Sequence, residues 1–326
     1  MAPPSVVTGP DPVYAVSSVA GQANPSQVVA LSIAGSDPSG GAGIQADLKT
    51  FAALGAFGTT VITALTAQAT TGVTGVHTVP PAFVAEQLET LLADVAVDAV
   101  KIGMLAGADV IEVVAAALRG FESLRGISVV LDPVMVSTSG SRLLDEAALE
   151  AMRALLPLCS VVTPNVPEAA ALLGRAEARD VAELHGQAEA LLDAGAPRVL
   201  LKGGHLEGPS AVDVWADAAG THELSAPRVA TTNTHGTGCT LSSAIAALRP
   251  RHEEWLPAVQ AAKDYLTGAL RHADDLTIGS GPGPVHHAWQ SRWPTRPSDE
   301  GAEPKSTDQL RAQGRAVSPT ADVRGS

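Results

Sequence analysis

Aromatic residues make up only 3% of this 326-residue chain. A core therefore has to be assembled from Ala, Val, Leu and Ile, and a hydrophobic content of 45% supplies enough for a substantial one. Cysteine is nearly absent. Cys159 and Cys239 lie far apart in sequence and fit neither a disulfide framework nor a zinc spacing, which implies a reducing, cytoplasmic setting. Basic residues are scarce, 21 against 34 acidic ones, for a net charge of −13. With no basic cluster to neutralise a phosphate backbone, nucleic acid is excluded as a partner. No apolar run approaches the length of a membrane span, so no membrane partner is expected. A Walker A lysine is missing. Between Asp47 and Glu86 there is no Asp or Glu at all, so the pattern Gly41-x-Gly43-x-x-Ala46 lacks the acidic ribose partner of a dinucleotide site.

What is present is a rhythm. Residues 28–34 form a short apolar run suited to a buried strand, which leads through a glycine-rich loop at 35–43 into a helix ending near residue 54. The β-branched stretch 59–67 predicts the next strand, with Gln68 at its end. A helix over 81–94, a strand over 99–103, a helix over 109–118 and a strand over 128–131 continue the alternation. Strands over 160–163 and 199–201 follow, then an edge hairpin pairing 212–215 with 221–224. Apolar, non-alternating strands separated by helices predict an α/β fold of three layers, a mostly parallel sheet covered on both faces. The proposed domain spans 28–294. Residues 1–27, rich in Pro, Ser and Gly, and 295–326, with five acids and five bases but few apolar residues, are expected to be disordered extensions.

Active sites in such sheets lie at the strand C-termini. Asp132, the pair Asn165 and Glu168, and Lys202 all fall there. The stretch Asn233-Thr-His-Gly-Thr-Gly-Cys-Thr240 adds a glycine turn running into a helix whose good formers extend over 240–248. Free N–H groups and partial positive charge at a helix start make Gly236, Thr237, Gly238 and Cys239 an anion site. In that first turn the helix field and nearby cations can favour thiolate over thiol, so Cys239 could serve as a weak base. Each feature has a bland alternative: a tight turn, a buried small cysteine, a helix cap, a solvated lysine. Together they provide two carboxylates and an amide for Mg2+, a lysine for phosphate charge and an amide cradle, which is the equipment of phosphoryl transfer.

The segments around Gly35-Ser-Asp-Pro-Ser-Gly-Gly-Ala-Gly43, Lys101-Ile-Gly-Met-Leu105, Asp132-Pro-Val-Met135, Thr163-Pro-Asn-Val-Pro-Glu168, Lys202-Gly-Gly-His205, Thr234-His-Gly-Thr-Gly-Cys-Thr240 and Gly283-Pro-Val-His-His287 resemble the hydroxymethylpyrimidine/phosphomethylpyrimidine kinases of thiamine biosynthesis. These form a branch of the ribokinase superfamily, and the likeness runs from about residue 28 to 289. The resemblance implies a ribokinase-like fold, ATP and Mg2+, a homodimer, and two successive phosphorylations of a small pyrimidine. It implies that Gln68, Asp47 and Gly35 bind the aminopyrimidine with Met104 closing over the ring. Asn165 and Glu168 would form a metal motif supported by Asp132. Lys202, Thr234 and Gly238 would contact ATP, and Gly236 to Cys239 the transferred phosphoryl group. Where much of the superfamily has an aspartate base, this chain has Cys239. A pyridoxal kinase is the alternative within the class; an oxidoreductase and a non-catalytic pyrimidine-binding protein are the alternatives outside it.

Overall fold

Val28–Ala34 forms the first strand, β1, because both of its faces are covered: Leu31 and Ile33 point into one apolar layer and Ala30 into the other. The computed structural model describes residues 27–121, 127–135 and 146–291. Apart from Gln27, the expected disordered ends over 1–27 and 295–326 lie outside the described residues.

In chain order the elements are β1, α1 (Gly43–Ala53), β2 (Ala56–Ile62), β3 (Ala64–Ala69), β4 (Gly72–Thr78), α2 (Pro81–Leu92), β5 (Ala99–Ile102), α3 (Ala108–Phe121), β6 (Ser128–Leu131), α4 (Glu146–Leu155), β7 (Val161–Val162), α5 (Val166–Leu173), α6 (Val181–Asp193), β8 (Val199–Leu201), β9 (Ser210–Asp217), β10 (Gly220–Pro227), α7 (Thr237–Leu248) and α8 (Trp255–Arg271). The central sheet has the order β10-β9-β8-β7-β6-β5-β1-β2. From β2 to β8 every pairing is parallel, and β9 and β10 close one edge antiparallel. Helices α2 to α6 pack Val84, Val114, Met152, Leu184 and Leu191 against one face; α1, α7 and α8 pack Phe51, Leu241, Ile245 and Val259 against the other. This is the three-layer α/β arrangement expected. The second layer is closely spaced with alanine, Ala30 and Ala99 facing Ala244, Ala246 and Ala247, all essentially inaccessible to solvent. Small side chains replace the scarce aromatics there.

One expected strand is two. The β-branched stretch 59–67 breaks at Thr63, whose amide bonds the Ala34 carbonyl at 3.1 Å and whose hydroxyl bonds the Met104 carbonyl at 2.6 Å. Beyond it the chain leaves the central sheet, and β3 and β4 form a separate antiparallel hairpin with a register shift at Ala67/Gln68. Gln68 therefore stands on this hairpin and not at the end of a central strand.

The segment after α8 closes the fold against the start of α7. His235 N–H bonds the Gly283 carbonyl, His286 N–H bonds the Ala269 carbonyl, and the Tyr265 hydroxyl bonds the His287 carbonyl at 2.6 Å. Thr240 donates its hydroxyl to the Gly236 carbonyl at 2.8 Å, so its oxygen is left to accept from His287 Nε2 at 3.1 Å. Burial pushes the His287 pKa down to about 3, and the charges of Lys49, His286 and His235 push the same way. The unfolded imidazole takes a proton below about 6.5 while the folded one refuses it until about 3. Stability carried by this histidine is thus present above pH 6.5 and lost as pH falls toward 3, by up to about 1.4 kcal/mol per pH unit. Urea unfolding between pH 7 and 4 should show this slope in the parent, and the slope should flatten in His287→Gln; parallel curves would remove His287 as a source of acid lability.

Candidate active site

The parallel strands end on one side, and the chain places its polar residues there. Asp132 leaves β6 with its amide bonded to the Ile102 carbonyl at 2.9 Å; Lys202 leaves β8 with its amide bonded to the Pro164 carbonyl at 2.8 Å. Asn165 caps α5. Its side chain accepts from Glu168 N–H at 2.9 Å while Glu168 Oε2 accepts from Asn165 N–H at 2.7 Å, a reciprocal capping box. The helix-cap reading and the metal reading therefore share the same two residues, and the cap holds the Glu168 carboxylate at the mouth of the helix.

Lys202 Nζ donates to Asp132 Oδ1 at 2.7 Å and lies 3.8 Å from Glu168 Oε2. Burial works against the lysine's charge, yet Asp132 and Glu168 hold its pKa above the ordinary value. The Glu168 pKa is raised as well. Burial, with Asp132 adding, pushes it up to about 7 against the pull of Lys202 and the Asn165 amide. One ammonium thus serves two buried carboxylates, and Asp132 has the shorter contact.

The glycine turn faces this cluster. Gly236 is the N-cap of α7 with φ of 80°, a left-handed conformation that suits glycine. A Cβ at Gly236 would collide with the Gly41 carbonyl, and one at Gly41 with the His235 ring, so the two glycine-rich loops can meet only because both positions lack side chains. Gly238 packs over the cluster: a Cβ there would sit 3.2 Å from Lys202 Nζ and 3.3 Å from Asp132 Oδ2. The α7 amides, the lysine and the carboxylates converge on one cleft of about 650 Å³, within the ordinary range for small-molecule sites.

That cleft brings together Gly35, Gln68, Met104, Asp132, Asn165, Glu168, Lys202, Thr234, Gly236, Thr237, Gly238 and Cys239. It does not include Asp47. The Asp47 carboxylate is fully buried beneath the site, where it accepts from Ser32 Oγ at 2.6 Å, from Ser243 Oγ at 2.7 Å and from Lys101 Nζ at 2.9 Å. With its oxygens occupied and no exposed surface it is unavailable to a pyrimidine, and the expected substrate contact is corrected to a structural one. The thiolate expected at Cys239 is corrected too. Burial pushes the thiol up to about 11, Asp47 and Asp132 push the same way, and Lys101 with the Gly43 amide offsets only part.

Three residues at the site carried no role in the sequence reading. Lys101 lines the floor; burial opposes its charge, yet Asp47 holds it well above the usual lysine range. Asp37 organises the first loop, accepting from Ser39 N–H and Oγ at 2.9 and 2.7 Å, from Ala42 N–H at 2.8 Å and from His235 Nε2 at 2.7 Å. Burial would raise the Asp37 pKa, but these donors, His235 foremost, bring it down to about 2. The Asp-x-Ser spacing of an Asx turn was the signal available for Asp37. Nothing local marks His235 as its partner 198 residues away.

Comparison with known proteins agrees with this geometry. A family model described as phosphomethylpyrimidine kinase matches residues 37–286. The hydroxymethylpyrimidine/phosphomethylpyrimidine kinase of Salmonella typhimurium is 54% identical over 266 residues, covering 81% of this chain and 99% of that protein. Among solved structures, an ADP complex of Bacillus subtilis pyridoxal kinase superposes with a TM-score of 0.73 at 34% identity, covering 81% of this chain and 99% of that one. The Staphylococcus aureus pyridoxal kinase in complex with AMP-PCP and pyridoxal gives 0.74 at 32% identity, covering 82% and 95%. A match that runs from the first glycine-rich loop to the closing histidines takes in both halves of the cleft, and the chain therefore belongs to the phosphomethylpyrimidine kinase family.

Proposed function

We propose that this chain uses ATP to phosphorylate 4-amino-5-hydroxymethyl-2-methylpyrimidine to its monophosphate and then to the diphosphate used in thiamine diphosphate synthesis. The observation that carries the reading is the opposition, across one cleft, of a side-chain amide on a separate hairpin, Gln68, and an anion cradle at the start of α7. Solved relatives named for complexes with ADP and AMP-PCP support ATP as the donor. The homodimer belongs to this reading through the family resemblance. Among the described residues no helix is long and apolar enough to cross a membrane.

In the first step an alcohol oxygen forms a bond to the γ-phosphorus, the bond to the bridging oxygen of ADP breaks, and the alcohol proton passes to solvent water. Amides of Gly236 to Cys239 receive charge on the transferring oxygens, and Lys202 adds a fixed positive charge beside them. Cys239 is a thiol at neutral pH and cannot itself accept the proton as a resting thiolate. Its value lies in neutrality: a carboxylate in its place would repel the monophosphate that must enter for the second step. That acceptor is already an anionic oxygen and needs no base.

Mg2+ fits the residues present. Asp132 and Glu168 offer hard carboxylate oxygens, and a Glu168 pKa near 7 marks a buried carboxylate short of positive charge. Among the described residues no group of three or more His, Cys, Asp or Glu could hold a metal ion, so phosphate oxygens and water would have to complete the shell. When bound, it would neutralise phosphate charge.

Three measurements check this reading. Purified protein with ATP should convert the pyrimidine alcohol to monophosphate and then diphosphate, resolved by anion exchange; failure to phosphorylate pure monophosphate, with pyridoxal accepted instead, would favour a pyridoxal kinase. Glu168→Gln keeps the capping acceptor and removes the charge, so the magnesium concentration for half activity should rise on the order of 10- to 100-fold with the melting temperature little changed. Alkylation of Cys239 by iodoacetamide, with Cys239→Ala as the blank, should accelerate about tenfold per pH unit through pH 8 to 10; a plateau below pH 9 would show a thiolate already present.

A further inference from the structure

Gln68 has two neighbours that decide how its amide is turned. Its Nε2 position lies 3.4 Å from His235 Nε2, and its Oε1 position lies 3.2 Å from Thr66 Oγ1. The two ends of a side-chain amide have nearly the same shape, so hydrogen bonding has to distinguish them. His235 Nε2 carries at most one proton. That proton is held toward Asp37 Oδ2 at 2.7 Å, since a carboxylate accepts and does not donate, and the same N–H, shared, is all that His235 Nε2 can offer the Gln68 amide at 3.4 Å. An amide nitrogen facing His235 would then set donor against donor. Thr66 is compatible with the same answer. Its one hydroxyl proton has two acceptors in reach, the Ser36 carbonyl at 2.9 Å and the Gln68 Oε1 position at 3.2 Å, and given to the nearer Ser36 carbonyl it leaves Thr66 Oγ1 an acceptor toward Gln68. An amide oxygen there would set acceptor against acceptor.

We infer that Asp37 and His235, with Thr66, hold the Gln68 amide in a single orientation, oxygen toward His235 and nitrogen toward Thr66, and thereby fix which hydrogen-bond pattern the hairpin presents to the substrate ring. His235 is a positioning residue: it acts through Gln68. The inference rests on the proposed pyrimidine kinase activity and specifies how its acceptor is chosen. A 4-aminopyrimidine offers a ring nitrogen acceptor beside an amine donor, while the 4-oxo analogue offers a ring N–H donor beside a carbonyl acceptor. An amide free to turn over could satisfy either ring by exchanging its ends. A locked amide satisfies one and leaves buried polar groups mispaired against the other, which is the strong form of discrimination. The lock is contributed from three places: Asp37 from the first glycine loop, His235 from the turn before α7, and Thr66 from the hairpin itself. None of these residues has to touch the pyrimidine for the selection to operate.

The test is calorimetric binding of the 4-amino alcohol, its 4-oxo analogue and ADP to the full chain and to His235 variants. In the parent the amino ring should bind far more tightly than the oxo ring. His235→Phe removes the donor and should narrow that ratio by about tenfold or more, leaving ADP affinity within about threefold. His235→Gln returns an N–H near the position of Nε2 and should restore most of the ratio. If the His235→Phe chain does not fold, as judged by melting and ADP binding, His235→Ala serves in its place. A ratio unchanged by loss of the ring, or weakened binding of both pyrimidines by the same factor, overturns the lock and leaves His235 as loop packing. Absence of pyrimidine binding by the parent would instead overturn the proposed substrate, a separate outcome.

Discussion

The fully buried Asp47 carboxylate is the contact on which the site's floor depends. It lies on α1 and collects donors from β1, β5 and α7 through Ser32, Lys101 and Ser243. An ion pair with no solvent access contributes little net stability compared with apolar packing, because both charges lose their hydration. What it does enforce is geometry, since displacing Lys101 leaves charge unpaired in a low-dielectric interior and displacing either serine leaves the buried carboxylate short of a hydrogen-bond donor. Ser243 lies one helical turn beyond Cys239 on α7. The same network therefore sets the depth at which α7 begins and, with it, where its free amides point.

A second buried pair performs a similar task at the other side. Lys263 of α8 donates to Asp213 of β9 at 2.6 Å, and Asp213 also accepts from Gly203 N–H at 3.0 Å. Gly203 follows Lys202, so the antiparallel edge of the sheet and the last long helix fix the turn that presents Lys202 to the cleft. The glycine is required by space: a Cβ would strike the Val212 carbonyl.

Much of this was legible in the chain. Short apolar strands alternating with helices identified the parallel sheet, and the polar residues following 131, 163 and 201 marked its active edge, because strand direction places them there without any long-range knowledge. The misreadings were all non-local. Residues 59–67 look like one strand, since nothing in Ile62-Thr-Ala64 announces that Thr63 will bond to Ala34 and Met104. Asp47 looks like a ligand group until Lys101, 54 residues on, is seen to face it. The thiol of Cys239 was judged from its helix and nearby cations, whereas burial, with Asp47 and Asp132 from distant segments, raises its pKa. Sequence shows which groups are available; it conceals which of them satisfy one another.

The separate β3–β4 hairpin has a consequence for how such a protein diverges. Gln68, the proposed ring contact, sits on a two-stranded sheet outside the main ladder, while the proposed phosphate contacts sit on the ends of the parallel strands and on α7. The hairpin makes no ladder pairing with the eight-stranded sheet, so the proposed ring contact could be altered without shifting the register of the strands that carry the proposed phosphate contacts. The architecture makes acceptor choice and phosphate handling separable parts of one molecule.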